Sequence, residues 1–102
     1  MYKLKPTGQY KKDFKLCSKS NLDLSLMASV LMTLKETGTL PFDTYKTHKL
    51  TGTKDEIFDS HITPDWLLLW RVHESDEPEY EGVIVLVRTG THSNLFGKRN
   101  SF

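Results

Sequence analysis

Two apolar runs in the C-terminal half, "WLLLWRV" from residue 66 and "GVIVLVR" from residue 82, constrain this chain more than any other feature. Runs of that length rich in Trp, Val and Ile suit a packed, pleated surface and read as strands, not helices. Pro64 and Gly82 bound them. Between them lies "HESDEPEYEG", residues 73–82, whose Glu74, Asp76, Glu77, Glu79 and Glu81 form an acidic stretch that fits a long hairpin loop. Antiparallel pairing of the two runs would bring the start of the first and the end of the second to one edge of a sheet.

The preceding residues supply helices. "YKLKP" reads as a short first strand closed by Pro6, and from Gly8 onward Tyr10, Phe14 and Cys17 share a helical face. "SNLD" at 20–23 has capping-box spacing, with Ser20 as N-cap and Asp23 as the returning acid. The helix it opens carries Leu24, Met27, Leu31 and Leu34 at intervals of three and four; Gly38 ends it and Pro41 prevents its resumption. "PFDTYKTHKLTGTKDE" reads as loop. Two helices followed by a small, mainly antiparallel sheet make an α+β layer architecture, with the helices on one sheet face and the other face open.

At 102 residues the chain is expected to be a single domain, residues 1–102. Apolar residues at 37% and charged residues at 26% fit a globular protein and exclude a disordered or fibrous one. A single cysteine, Cys17, excludes an intrachain disulfide and a cysteine-cluster zinc site. No run reaches signal-peptide or membrane-span length, so a cytoplasmic location without membrane attachment is expected. The net charge is only +1, yet six lysines crowd residues 1–19 against Asp13 alone, while the acids gather in residues 73–82. Such a split can present a positive surface to a polyanion.

Three of the four histidines stand next to turns and outside the apolar runs: His48, His61 and His92. His61 and Asp65 flank the turn into the first run, and His92 follows the second, just beyond Arg88. The expected strand pairing gathers Asp65, Trp66, Arg88 and His92, with His61 a turn away. These are parts for cleaving RNA without a metal. A His or Asp base takes the ribose 2′-OH proton, a guanidinium steadies the phosphate, and a histidinium protonates the departing 5′-oxygen. An exposed Trp66 or Phe96 could stack a splayed base. The same His and Asp residues could instead ligate zinc or manganese in a metal-dependent hydrolase, although no helix-borne H-x-x-x-H spacing is present. A non-catalytic RNA- or partner-binding module is the third reading.

"THKLTGTKDEIFDSHITPDWLLLW" followed by "LVRTGTHSNLFG" closely resembles the YafQ branch of the RelE-like toxins of bacterial type II toxin–antitoxin modules. The pattern H-x-L-x-G, then D-x-H-x-x-P-D-W, then R-x-G-T-H-x-x-L-F is present in order, and the likeness spans nearly the whole chain. It implies a RelE-like fold and a ribosome-dependent endoribonuclease that cuts mRNA in the ribosomal A site, halts translation and is held inactive by a cognate antitoxin. It also implies site residues: His92 as general acid, Asp65 as base with His61 competing, Arg88 on the phosphate and His48 against the RNA. Trp66 and Phe96 would shape the base pocket, and Lys49 and Lys54 would contact RNA. No cofactor or metal is expected.

Overall fold

A computed structural model describes residues 1–50 and 56–96 of the chain. The two apolar runs form neighbouring antiparallel strands, β4 (Trp66–His73) and β5 (Val83–Thr91). Alternate side chains of a strand point to opposite faces, so β4 divides itself between two cores. Trp66, Leu68 and Trp70 pack with Tyr10, Cys17, Met27, Val30 and Leu34 from the helices, while Leu67 and Leu69 pack with Ile57 and Leu95. Both faces of β4 are covered, which is why the run shows no polar alternation.

β3 (Phe58–Thr63) lies along the far edge of β4, and the two-residue β2 (His48–Lys49) extends the sheet beyond it. β1 (Lys3–Pro6) runs parallel to β5, giving the order β1-β5-β4-β3-β2. The last backbone bond to β5 is from the Thr7 N–H to the Leu86 carbonyl at 3.0 Å, and Pro6, whose missing N–H would face the free edge, is tolerated just before it. There the chain turns into α1 (Gly8–Ser18), and side chains take over the edge of β5. The Thr7 hydroxyl donates to the Val87 carbonyl at 2.9 Å, and Asp13 Oδ2 accepts from the Thr89 N–H at 3.3 Å.

α2 (Leu24–Thr37) covers the same face, but its cap differs from the expected one. Asp23 is the N-cap, accepting from the Ser25 N–H at 3.0 Å and the Ser25 hydroxyl at 2.6 Å. Ser20 trails α1 instead, its N–H donating to the Cys17 carbonyl at 3.0 Å. A carboxylate directly before the first turn also suits the positive end of the helix dipole, which a more distant Ser20 cannot exploit. Gly38 ends α2 at φ 77°, and a Cβ there would fall 2.3 Å from the Tyr2 ring, so only glycine fits. Pro41 does not end helical structure; it precedes a single turn, α3 (Phe42–Tyr45), where a missing N–H costs no helical bond. The second sheet face is not bare either. The short α4 (His92–Phe96) follows β5 directly and buries Leu95 against Leu67 and Leu69.

The expected hairpin loop carries much of the acidic stretch back to the N-terminus. Glu77 pairs with Lys3 and Glu81 with the terminal amine. Part of the positive charge read from residues 1–19 is therefore balanced within the molecule. No helix of the described residues is long and apolar enough to cross a membrane.

Candidate active site

On β3, alternation sends Phe58 and Ser60 toward the helices, where Phe58 stacks on Trp70 and Ser60 Oγ accepts from Trp70 Nε1 at 2.9 Å. It sends Asp59 and His61 the other way, since they pair with Leu69 and Leu67. His48 sits opposite Asp59 on β2. His92 opens α4, which lies over this face through Leu95. The three imidazoles consequently line up, with ring centroids 6.3 Å apart for His48 and His61 and 5.7 Å apart for His61 and His92. Phe96 follows one helical turn on, its ring 6.5 Å from that of His92.

Asp65 belongs to the turn between β3 and β4, and the register Trp66↔Thr91 brings it beside His92. Its Oδ1 lies 3.0 Å from His92 Nδ1 and accepts from the His92 backbone N–H at 3.4 Å. The hydrogen bond from the imidazole, followed by that from the backbone, holds the Asp65 carboxyl below its usual range. With Nδ1 occupied by a carboxylate, Nε2 of His92 is left as the atom that can carry a proton outward. His48 is held the other way round. A carbonyl can only accept, so Nδ1 donates to the Lys46 carbonyl at 2.9 Å, and Nε2 faces Asp59 Oδ2 at 3.5 Å. No hydrogen bond among the described residues fixes either ring nitrogen of His61.

Asp59 was not singled out from the sequence, although it is the first letter of D-x-H-x-x-P-D-W. It is 5% exposed, and Oδ1 is buried with no hydrogen-bond partner among the described residues. Burial pushes its carboxyl up, against the opposing pull of His48, His61 and His92. When ionised, a buried carboxyl beside these imidazoles is a source of negative potential for them. The signal available in the sequence was its spacing: two residues before His61 on a strand means the same face.

Two expected members are bound into the framework. Trp66 is fully buried on the helix side, where its indole N–H donates to Thr89 Oγ1 at 3.0 Å, so its ring cannot stack a base. Arg88 does not face the histidines with a free guanidinium. An extra residue, Val87, interrupts the β4–β5 register, and beyond it Arg88 Nε and Nη2 reach Asp13 Oδ2 and Oδ1 on α1, at 3.0 and 3.1 Å. The carboxylate fork takes a bidentate guanidinium that would otherwise be partly buried without a counter-charge. Lys49 stands on β2 beside His48, exposed and paired with Glu56 at 3.1 Å, and Lys54 lies outside the described residues. Cys17 is buried on α1, and burial is the main reason its thiol is pushed up, so it is no nucleophile here.

A model of the family described as "Bacterial toxin of type II toxin-antitoxin system, YafQ" matches residues 2–97. The chain is 38% identical over 92 residues to the mRNA interferase toxin YafQ of Escherichia coli K12, covering 89% of this chain and 91% of that protein. The chain belongs to the YafQ toxin family. The fold agrees: YafQ in the E. coli DinJ–YafQ complex superposes with a TM-score of 0.76 at 32% identity, over 95% of this chain and all of that one. A metal-bound toxin from Helicobacter pylori gives a TM-score of 0.78 at 31% identity, over 94% of this chain and all of its own.

Against these two structures, the α+β, RelE-like architecture expected from the sequence holds. Among the described residues of this family member, no three His, Cys, Asp or Glu side chains are grouped so as to hold a metal ion. The pair Asp65–His92 and the pair Asp59–His48 each join one carboxyl to one imidazole, an arrangement made for proton handling.

Proposed function

We propose that this chain is an mRNA interferase toxin, a ribosome-dependent endoribonuclease that cuts mRNA in the ribosomal A site, arrests translation in the cytoplasm and is neutralised by a cognate antitoxin. The curated YafQ relative supports the reaction class, and the DinJ–YafQ complex of its E. coli neighbour supports an antitoxin partner. The observation that carries the reading is the row of three imidazoles on one sheet face, with a carboxylate fixing one end.

The geometry suits acid–base cleavage. His61, in the middle of the row, takes the proton of the ribose 2′-OH. The 2′-oxygen then attacks phosphorus and the bond from phosphorus to the 5′-oxygen breaks. His92 Nε2 gives its proton to that oxygen, leaving a 2′,3′-cyclic phosphate and a 5′-hydroxyl. Asp65, expected as the base, is better suited to hold His92: a carboxyl kept low and bonded to an imidazole is a weak proton acceptor. His48 would meet the phosphate, and Phe96 is the expected aromatic that lies beside the row.

The test is 5′-end mapping of mRNA in a reconstituted translation system, with and without ribosomes, a zinc-selective chelator that leaves Mg²⁺ in place, and added protein. Ribosome-dependent cuts with 5′-hydroxyl ends that survive the chelator are expected. Cuts abolished by the chelator and restored by zinc would transfer the histidines to a metal, and the metal-bound H. pylori relative makes that arm worth running. RNA binding without any cuts would leave only a binding module.

A further inference from the structure

β2 pairs with Phe58 and Asp59 only, so the end of β3 presents a free edge, and α3 packs beside it. Between them lies a cavity of about 470 Å³ lined by Thr44, Lys46, His61, Ile62, Thr63 and Pro64. Volumes of about 300–1,000 Å³ are those of small-molecule pockets, which are mainly apolar with a few placed polar groups. Ile62 and Pro64 are the apolar part, and Thr44 and Lys46 the polar part. Neither Asp65 nor His92 borders the cavity, but His61 does, so of the two reacting imidazoles the cavity adjoins His61 and not the general acid.

We propose that this cavity is a nucleobase subsite for the nucleotide immediately 5′ of the cut. The inference rests on the acid–base reading above and adds a direction to it. The 2′-OH deprotonated by His61 belongs to that nucleotide, whereas the 5′-oxygen protonated by His92 belongs to the next. A chain threaded past both places its upstream base on the His61 side, where the cavity is.

Lys46 links recognition to the reacting groups. It adopts a left-handed backbone at φ 52°, held by its N–H to the Phe42 carbonyl at 2.7 Å, and its ammonium sits 5.3 Å from the Phe42 ring centre. A non-glycine residue in that region is held there by its surroundings. The left-handed backbone aims the Lys46 carbonyl at His48 Nδ1, and the same residue lines the cavity. Its ammonium can donate to base acceptors or balance a phosphate.

The experiment is 5′-end mapping in a reconstituted translation system with the wild type, Lys46→Gln, Thr44→Val and the cavity-filling Ile62→Trp. A shift of threefold or more in base preference at the position directly 5′ of the cut is expected, with the preference at the position 3′ of it unchanged. Thr44 and Lys46 are exposed, so these two variants decide the matter even if Ile62→Trp misfolds. Wild-type base preference in both overturns the proposal, as does complete loss of cutting by Lys46→Gln. If the wild type itself makes no cuts, the nuclease reading fails before the subsite is reached.

Discussion

Arg88 was read from the sequence as a phosphate-stabilising group, and the structure pairs it with Asp13, a contact whose worth can be measured. Asp13, 5% exposed, accepts from Arg88 Nε and Nη2, from the Thr89 N–H, and from Gln9 Nε2 at 3.0 Å. Removing one partner of a buried ion pair costs about 3–5 kcal/mol. The Arg88 side chain is 19% exposed, which places this pair at the lower end, about 3 kcal/mol. Domains of this size shift by about 4–8 °C in Tm per kcal/mol, so Asp13→Asn or Arg88→Met should each lower Tm by roughly 12 °C or more. The asparagine keeps an acceptor for the Thr89 N–H, and Arg88→Met replaces the charge with an apolar stem. The double variant should therefore lose far less than the sum, with a coupling of about 2–3 kcal/mol by urea unfolding. Its mRNA cleavage should remain within about tenfold of wild type. Loss of a group that stabilises transition-state charge costs about 10²–10³ in rate. Additive stability losses, or a folded double variant slowed by that factor, would refute the anchoring role and return Arg88 to the phosphate.

His92→Ala and Asp65→Asn should each slow cleavage by about 10²–10⁴ without unfolding the protein, as loss of a positioned general acid does; single-turnover rates on ribosome-bound mRNA check this. The Asp65 carboxyl should titrate below the ordinary value of about 3.9 by carbon-detected NMR, so the contribution of its bond to His92 is complete above that value and disappears as pH falls through the lowered one; a midpoint at or above 3.9 contradicts the bond. Asp59 has the opposite sign: its raised pKa makes the folded state hold a proton that the unfolded chain has released, so stability falls as pH climbs from about 3.9 toward the folded value. Asp59→Asn should remove that slope and be relatively more stable at neutral pH, while cleavage falls; parallel stability curves for the two proteins would sink the reading. Trp66→Ala should cost about 3–5 kcal/mol as a large core truncation, whereas Trp66→Phe should cost less and leave kcat within a few-fold, because the ring never meets RNA.

The strands were legible because their composition left no alternative: a run such as "VIVLV" has nowhere to go but a covered strand, and its neighbour had to pair with it. The histidines were legible as a group because each stands where a strand ends or turns. Burial direction was not legible. Trp66 begins a strand, and whether its ring faces helix or solvent depends on a register that only pairing with Thr91 defines. The partner of Arg88 was not legible either. The register pairs Arg88 with Leu69, on the histidine face, but its guanidinium is held by Asp13, a partner 75 residues away that no local pattern reveals. The cap of α2 was missed because Ser20 and Asp23 are both good caps, and only the exit of α1 decides which is free.

The resemblance motif mixes two kinds of residue, and the period of a strand separates them. In "DSHITPDW", Ser60 supports the core by accepting from Trp70 Nε1 and meeting the Thr47 hydroxyl at 2.6 Å, and Trp66 fills that core. Asp59 and His61 point the other way, and Asp65 reaches His92 from the turn. Adjacent letters thus serve opposite faces of one sheet. A truncation such as Ser60→Ala or Trp66→Ala should reduce cleavage only by loosening the platform, with stability and activity falling together. One at His61 or Asp65 should stop it with the fold intact. Motif membership alone therefore predicts loss of activity but not its cause, and the unfolding curve measured beside each cleavage rate is what assigns a residue to the sheet or to the chemistry.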